Sequence, residues 1–391
     1  MSDTDQGLGN INDMPIDEVI NSEEFKTLRK QFMNGEKPDM CTRCFELEDT
    51  ADTWTLRKSS LETFKHYLPL AEETQEDGTI DDFKMRYMDI RFSNLCNLKC
   101  RSCGHIFSSQ WYQDQAKLAG GNWKEKNTVL NYAGRTETDM WTQLEPHLDY
   151  VEQIYFAGGE PLLMEEHYHI LDELVKRKRF DVRLIYNTNF THTDLKGNSV
   201  FEYWKQFDSV AVGASLDASG ARGEYIRKGT DWAVVEQNRR DMLAICPDVD
   251  FYISPTLSIM NAMHLPDFHR DWVEKGLIRA QDLNVNILQD PAYYRIDIAP
   301  AEYKAQLESL YRTHLEWLRD QDPLHRATVG FESAINYMMS TDNTHLIPKF
   351  WSTTEQLDKI RKENILEIIP ELKALKWNYH TKNSVYCPGS V

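Results

Sequence analysis

Between residues 85 and 290, short strand-like runs alternate with longer helical stretches, and this alternation constrains the fold more than any other feature of the chain. Runs rich in β-branched and aromatic residues fall at 87–92, 153–157, 182–187, 209–215, 250–257 and 284–288. Apolar residues at three- and four-residue spacing between them, at 167–178, 232–245 and 266–275, predict amphipathic helices. Strands separated by helices pair in parallel through crossover connections, which are right-handed. Six such units over about 200 residues predict an α/β fold, a partial (β/α)6 TIM-like barrel, with ligands at the C-terminal ends of its strands.

The flanks add accessory elements. Apolar spacing predicts a helix over 16–34, broken by Asn34-Gly35 and Pro38, and a second helix over 60–70. An acidic loop at 72–82 marks a boundary, and after Pro300 the pattern is helical until a terminal loop at 377–391. The expected division is an accessory region over 1–82, the barrel over 83–292 and a helical accessory region over 293–391. A chain of 391 residues buries a core without disulfides, and 41% hydrophobic with 11% aromatic residues excludes global disorder. With 44 Lys+Arg against 62 Asp+Glu the net charge is −18, which excludes a general nucleic-acid binder. The basic run Lys176–Arg179 is most simply the solvated end of a helix, with nucleic-acid contact the alternative. No run approaches the roughly 18 apolar residues of a membrane helix. The acidic, Gly/Asn-rich N-terminus is unlike a signal peptide, so a cytoplasmic location is expected.

In that compartment the seven cysteines call for a use other than disulfides. Three lie together in Cys96-Asn-Leu-Lys-Cys100-Arg-Ser-Cys103, directly after the first strand. Three thiolates so close can wrap one face of an iron–sulfur cubane and leave the fourth iron open, whereas zinc sites favour two separated pairs. The triplet resembles the signature of the radical S-adenosylmethionine (SAM) enzymes. The resemblance implies a [4Fe–4S] cluster on Cys96, Cys100 and Cys103 whose free iron chelates SAM, reductive cleavage of SAM to a 5′-deoxyadenosyl radical, and an electron donor such as flavodoxin or ferredoxin. One departure is Ser102, where the family usually places an aromatic or large apolar residue near the adenine.

Further motifs follow the later strands in order. In Phe156-Ala-Gly158-Gly159-Glu160-Pro161 two glycines admit close backbone approach, and a carboxylate can accept from an ammonium group. The segment resembles the family's SAM amino-group motif and implies that role for Gly158, Gly159 and Glu160; an ordinary turn is the plainer reading. Tyr186-Asn-Thr-Asn189 either caps a turn or points Asn189 at the cofactor. Ser215-Leu-Asp217 followed by Tyr225-Ile-Arg227 is similar to the segment that holds the SAM carboxylate, an anion suited to an arginine fork. This implies Ser215 and Arg227, in preference to Arg222. At the fifth strand end, Leu257 is the apolar contact the family would place against adenine.

Cys41-Thr-Arg-Cys44, then Glu48 and Thr55-Leu-Arg57, resemble the front of the radical SAM subgroup that carries a twitch domain. This implies an auxiliary [4Fe–4S] cluster on Cys41, Cys44 and Cys387, with a fourth ligand from Cys246, His380 or substrate; a zinc site and no metal remain the alternatives. Cys246, before Pro247, also suits a buried free thiol. Trp111, Tyr112 and Trp123 either cover the cluster loop or pack in the core. The expected function is radical hydrogen abstraction from a peptide. A sugar or alcohol dehydrogenase or epimerase is the alternative within the family. A non-catalytic iron–sulfur electron carrier and a zinc-bound interaction module are the alternatives outside it.

Overall fold

The computed structural model describes residues 8–11, 13–50, 55–133 and 137–376. These form two compact units, Met1–Arg86 with Ala133–Val151, and Tyr87–Tyr132 with Glu152–Val391.

The second unit is built on a parallel sheet in the order β1 (Tyr87–Ile90), β2 (Gln153–Phe156), β3 (Arg183–Thr188), β6 (Val210–Ala214) and β7 (Asp250–Ile253). A two-residue antiparallel ladder, β4 (Asp194–Leu195) with β5 (Asn198–Ser199), intervenes after β3. Beyond β7 the wall continues: Ile253 bridges Leu283 in parallel, and β8 (Thr256–Leu257) pairs with β9 (Asn286–Ile287). Among the described residues the strand order does not reverse, and no switch-point crevice of the doubly wound kind is formed; this is the wall of a partial barrel. The predicted strand over 250–257 is divided at Ser254-Pro255, because Pro255 has no N–H for a ladder.

Alternation along the strands sorts the two faces. Met88, Ile90, Ile154, Phe156, Leu184 and Tyr186 are buried toward the helices, while Tyr87, Asp89, Tyr155 and Asn187 point to the other side. Phe156, His167 and Tyr186 pack ring against ring, and His167 Nε2 lies 3.0 Å from the Tyr186 hydroxyl. Burial of the apolar Phe156 ring contributes about 1.5–3 kcal/mol by leaving water. The helix over Glu165–Lys176 supplies this face with Tyr168, Ile170, Leu171 and Leu174. The predicted helix over 232–245 is present as Trp232–Ile245, and that over 266–275 as Leu265–Glu274. Three further helices, Ala301–Leu318, Arg326–Ser340 and Ile347–Arg361, belong to the same unit. Gly330 in the second of them lets it close on Val285, which an added Cβ would meet at 2.9 Å.

In the first unit the helix predicted over 16–34 is two helices, Ile16–Ile20 and Glu23–Met33. Asn21 turns its side chain to the Ile80 backbone, donating to its carbonyl and accepting from its N–H, and Ser22 caps the second helix by accepting from the Phe25 N–H. The helix predicted over 60–70 ends earlier: Leu56–Thr63 gives way to a 3₁₀ stretch, Lys65–Glu73, that contains Pro69. Among the described residues no helix is long and apolar enough to cross a membrane. The terminal loop with Cys387 and His380 lies outside the described residues.

Candidate active site

The loops at the C-terminal ends of β1, β2 and β3 are joined by backbone pairing that continues the sheet. Ala157 N–H donates to the Ile90 carbonyl, Gly159 N–H to Ser93 and Glu160 N–H to Leu95, at 3.1, 3.0 and 2.7 Å. Gly159 is required by that approach, since a Cβ there would stand 2.1 Å from the Leu95 carbonyl oxygen, and Gly158 holds a φ of +113°. On its other flank the cysteine loop pairs with the segment after the Gly220–Ile226 helix: Lys99 N–H donates to Lys228 and Arg101 N–H to Ile226. The Trp111 indole N–H donates to the Cys100 carbonyl at 2.7 Å, so Trp111 covers the loop from behind. The sequence motifs that flank the cysteines thus physically hold them.

Cys96, Cys100 and Cys103 line one cavity of about 300 Å³. Gly158, Gly159, Asn189, Ser215 and Arg227 line it too, with Ser102 and the half-exposed ring of Phe107 at the cysteine loop. Burial pushes the Cys96 and Cys103 thiols up to about 12, and raises Cys100 as well, against the pull of the Arg227 and Arg361 cations. Thiols so placed become thiolates only when a cationic group joins them. Among the described residues no three cysteine, histidine or acidic side chains converge on a single-ion point. Three thiols spread around one cavity, two glycines and a guanidinium fit a cluster with separate iron corners and an anionic ligand on it.

Two of the implied residues stand elsewhere. Glu160 lies behind the cavity wall, buried, accepting from the Leu162 N–H (3.1 Å), the Thr188 hydroxyl (2.7 Å) and the Asn189 N–H (2.7 Å). Burial raises its carboxyl to about 7 despite those three donors. Leu257 is in the core; strand alternation turns its neighbour Thr256 to the cavity instead.

Asn189 donates to Asn97 Oδ1 at 2.8 Å and reaches Cys96 Sγ at 3.9 Å. Arg227 donates to Asp217 at 3.0 Å and turns Nη1 to Cys100 Sγ at 3.7 Å. Burial works hardest against its charge, but the Asp217 carboxylate together with the Cys100 and Cys103 thiols raises the pKa. Sequence reasoning did not assign Asp217, nor the Arg91, Tyr155 and Asn187 lining, where Asn187 donates to the Tyr155 hydroxyl at 2.6 Å. The available signal was period-two alternation, which places Tyr155 and Asn187 on the face opposite the helices.

In the first unit, Cys41 ends a short 3₁₀ turn and Cys44 lies in the helix Thr42–Thr50. Glu48 of that helix accepts from both Thr55 and Arg57, and Arg57 stacks on Phe45 at 4.7 Å.

Residues 2–45 match the family model of SPASM, an iron–sulfur cluster-binding domain. The chain resembles the SPASM-bearing radical SAM proteins. The SPASM-matching stretch is the one that carries Cys41 and Cys44. No curated protein sequence matches the chain. Solved structures similar to it include native anSMEcpe with bound AdoMet, at TM-score 0.43 and 21% identity over 61% of this chain and 62% of that one. Another is SuiB of Streptococcus suis bound to S-adenosylmethionine, at TM-score 0.34 and 14% identity over 78% and 60%. A third is TYW1 with a lysine–pyruvate adduct bound, at TM-score 0.29 and 13% identity over 57% and 70%. The chain therefore spans less than two thirds of the length of the first two.

Proposed function

We propose that the chain is a radical SAM enzyme. Its [4Fe–4S] cluster on Cys96, Cys100 and Cys103 would supply reductive cleavage of SAM to a 5′-deoxyadenosyl radical, which takes hydrogen from a substrate. The observation that carries this reading is the convergence of the three thiols with Gly158, Gly159, Asn189, Ser215 and Arg227 on one cavity at the strand ends. The glycine backbone and Ser215 would hold the amino acid part of SAM, Arg227 would pair with its carboxylate, and Glu160 would act through the Asn189 N–H it anchors. Phe107 and Tyr155 offer the aromatic surface that Ser102 does not. The substrate class is a peptide, in keeping with a similar structure described as native anSMEcpe with bound AdoMet and Cp18Cys peptide. A second cluster would use Cys41, Cys44 and Cys387, an oxidoreductase chemistry fed by a flavodoxin or ferredoxin in the cytoplasm.

The test is anaerobic reconstitution of the full chain with iron counting, followed by reduction with SAM present. Formation of 5′-deoxyadenosine that is lost on replacing Cys96, Cys100 and Cys103 by Ala supports the reading. Bound zinc in place of iron, or cleavage that survives the replacement, overturns it.

A further inference from the structure

Behind the cysteine loop, on the side away from the cavity, lies a buried set of charges that the proposed chemistry does not use. Arg361, at the end of the helix Ile347–Arg361, has a fully buried side chain. It donates through Nε to Asp114 at 2.9 Å and lies 4.7 Å over the Trp111 ring, the ring that also holds the Cys100 carbonyl. Its other two nitrogens are buried without a hydrogen-bond partner among the described residues. Asp114 also takes Lys99 of the cysteine loop at 3.0 Å.

Arg101, between the second and third cysteines, is equally buried and lies 3.7 Å over the Tyr225 ring. It pairs with Asp358, which also accepts from the Tyr225 hydroxyl and the Ile365 N–H, each at 2.8 Å. It pairs as well with Glu363 at 2.8 Å, and Glu363 takes Lys228 at 2.9 Å. Four cations (Lys99, Arg101, Lys228, Arg361) thus meet three carboxylates (Asp114, Asp358, Glu363), and the excess charge is positive.

Buried charges are retained where they are paired or serve a nearby opposite charge. A cluster on three thiolates is anionic and becomes more so on reduction, and its potential follows its surrounding charge and hydrogen bonds. We propose that Arg361 and Arg101 form a cationic back wall to the cysteine loop that favours the reduced cluster, and that Asp358 and Glu363 position this wall. On this account segment 347–363 is a working part of the redox centre, and Arg361 and Arg101 are positioning residues, since they act through the loop. The inference rests on the proposed cluster at Cys96, Cys100 and Cys103.

The experiment is a redox titration of the cluster signal by electron paramagnetic resonance, without SAM, on the full chain carrying Cys41→Ala and Cys44→Ala so that one cluster is read. Arg361→Gln should move the midpoint to more negative potential, Arg361→Lys should restore it, and Glu363→Gln should move it the other way. Loss of packing alone would not produce shifts of opposite sign that follow charge. Should Arg361→Gln fail to take up iron, Arg361→Lys and the part-exposed Glu363→Gln still decide the matter. Wild-type iron content with unmoved potentials overturns the inference and leaves the proposed function standing. Iron that is indifferent to Cys96, Cys100 and Cys103 overturns the proposed function itself and this inference with it.

Discussion

The cysteine triplet and the cysteine pair use the same side chain in two different settings. Cys96, Cys100 and Cys103 sit in a loop pinned by backbone bonds on both flanks, facing a cavity that already holds a guanidinium and two glycines. Cys41 and Cys44 sit on a helical turn, half-buried, with the Glu48–Arg57 ion pair beside them. The triplet is complete within one stretch of chain, whereas two thiols one helical turn apart need donors from elsewhere. Spacing sufficed for the first site and left the second with alternatives.

Mutations that separate the two sites have the largest expected effect. Removing Cys96, Cys100 and Cys103 should abolish 5′-deoxyadenosine formation, while Cys41→Ala with Cys44→Ala should lower iron by about one cluster and leave SAM cleavage measurable. Equal loss of cleavage in both variants would break the contrast. Next in size is Gly159→Ala, which drives a Cβ against the Leu95 carbonyl; a loss of several kcal/mol, or failure to bind the cluster, is expected from thermal unfolding and iron assays. Gly229→Ala should follow with a smaller loss, because its Cβ meets Asn97 at 2.9 Å and its φ is +108°.

A pH effect comes third. The Glu160 carboxyl is raised from 4.5 to about 7, so the folded state holds its proton more tightly than the unfolded chain does. Its contribution is present below pH 4.5 and is lost as pH rises through about 7, on the order of 3 kcal/mol over that window. The unfolding temperature of the metal-free protein should fall from pH 5 to pH 8, and Glu160→Gln should flatten the profile. Parallel profiles would show that the three donors, not burial, govern this carboxyl. The smallest effect is expected from Arg57→Ala, which leaves SAM cleavage unchanged and lowers iron retention only at the Cys41 site, read by iron counting after mild chelation.

Much of the barrel was legible because its strands are short, apolar and separated by amphipathic helices, as Trp232–Ile245 illustrates residue for residue. Helix ends were less so: the break at Asn21 depends on Ile80, 59 residues away, and no local pattern announces it. At the site, Gly159 and Arg227 could be found by motif, because the backbone clash and the fork geometry are written in residue type and order. Asp217 could not, since its partners Arg227 and the Thr256 N–H come from other segments, and for Tyr155 and Asn187 alternation gave a face but not a role.

By itself the sequence determined the cysteine spacing, the strand–helix alternation and the glycines that permit close approach, all properties of consecutive residues. Tertiary structure alone decided that Glu160 stands behind the wall, that Leu257 yields the cavity to Thr256, and that Arg361 backs a loop some 260 positions earlier in the chain. Long-range charge pairing and strand register depend on where distant segments meet, and that is set by packing the whole unit.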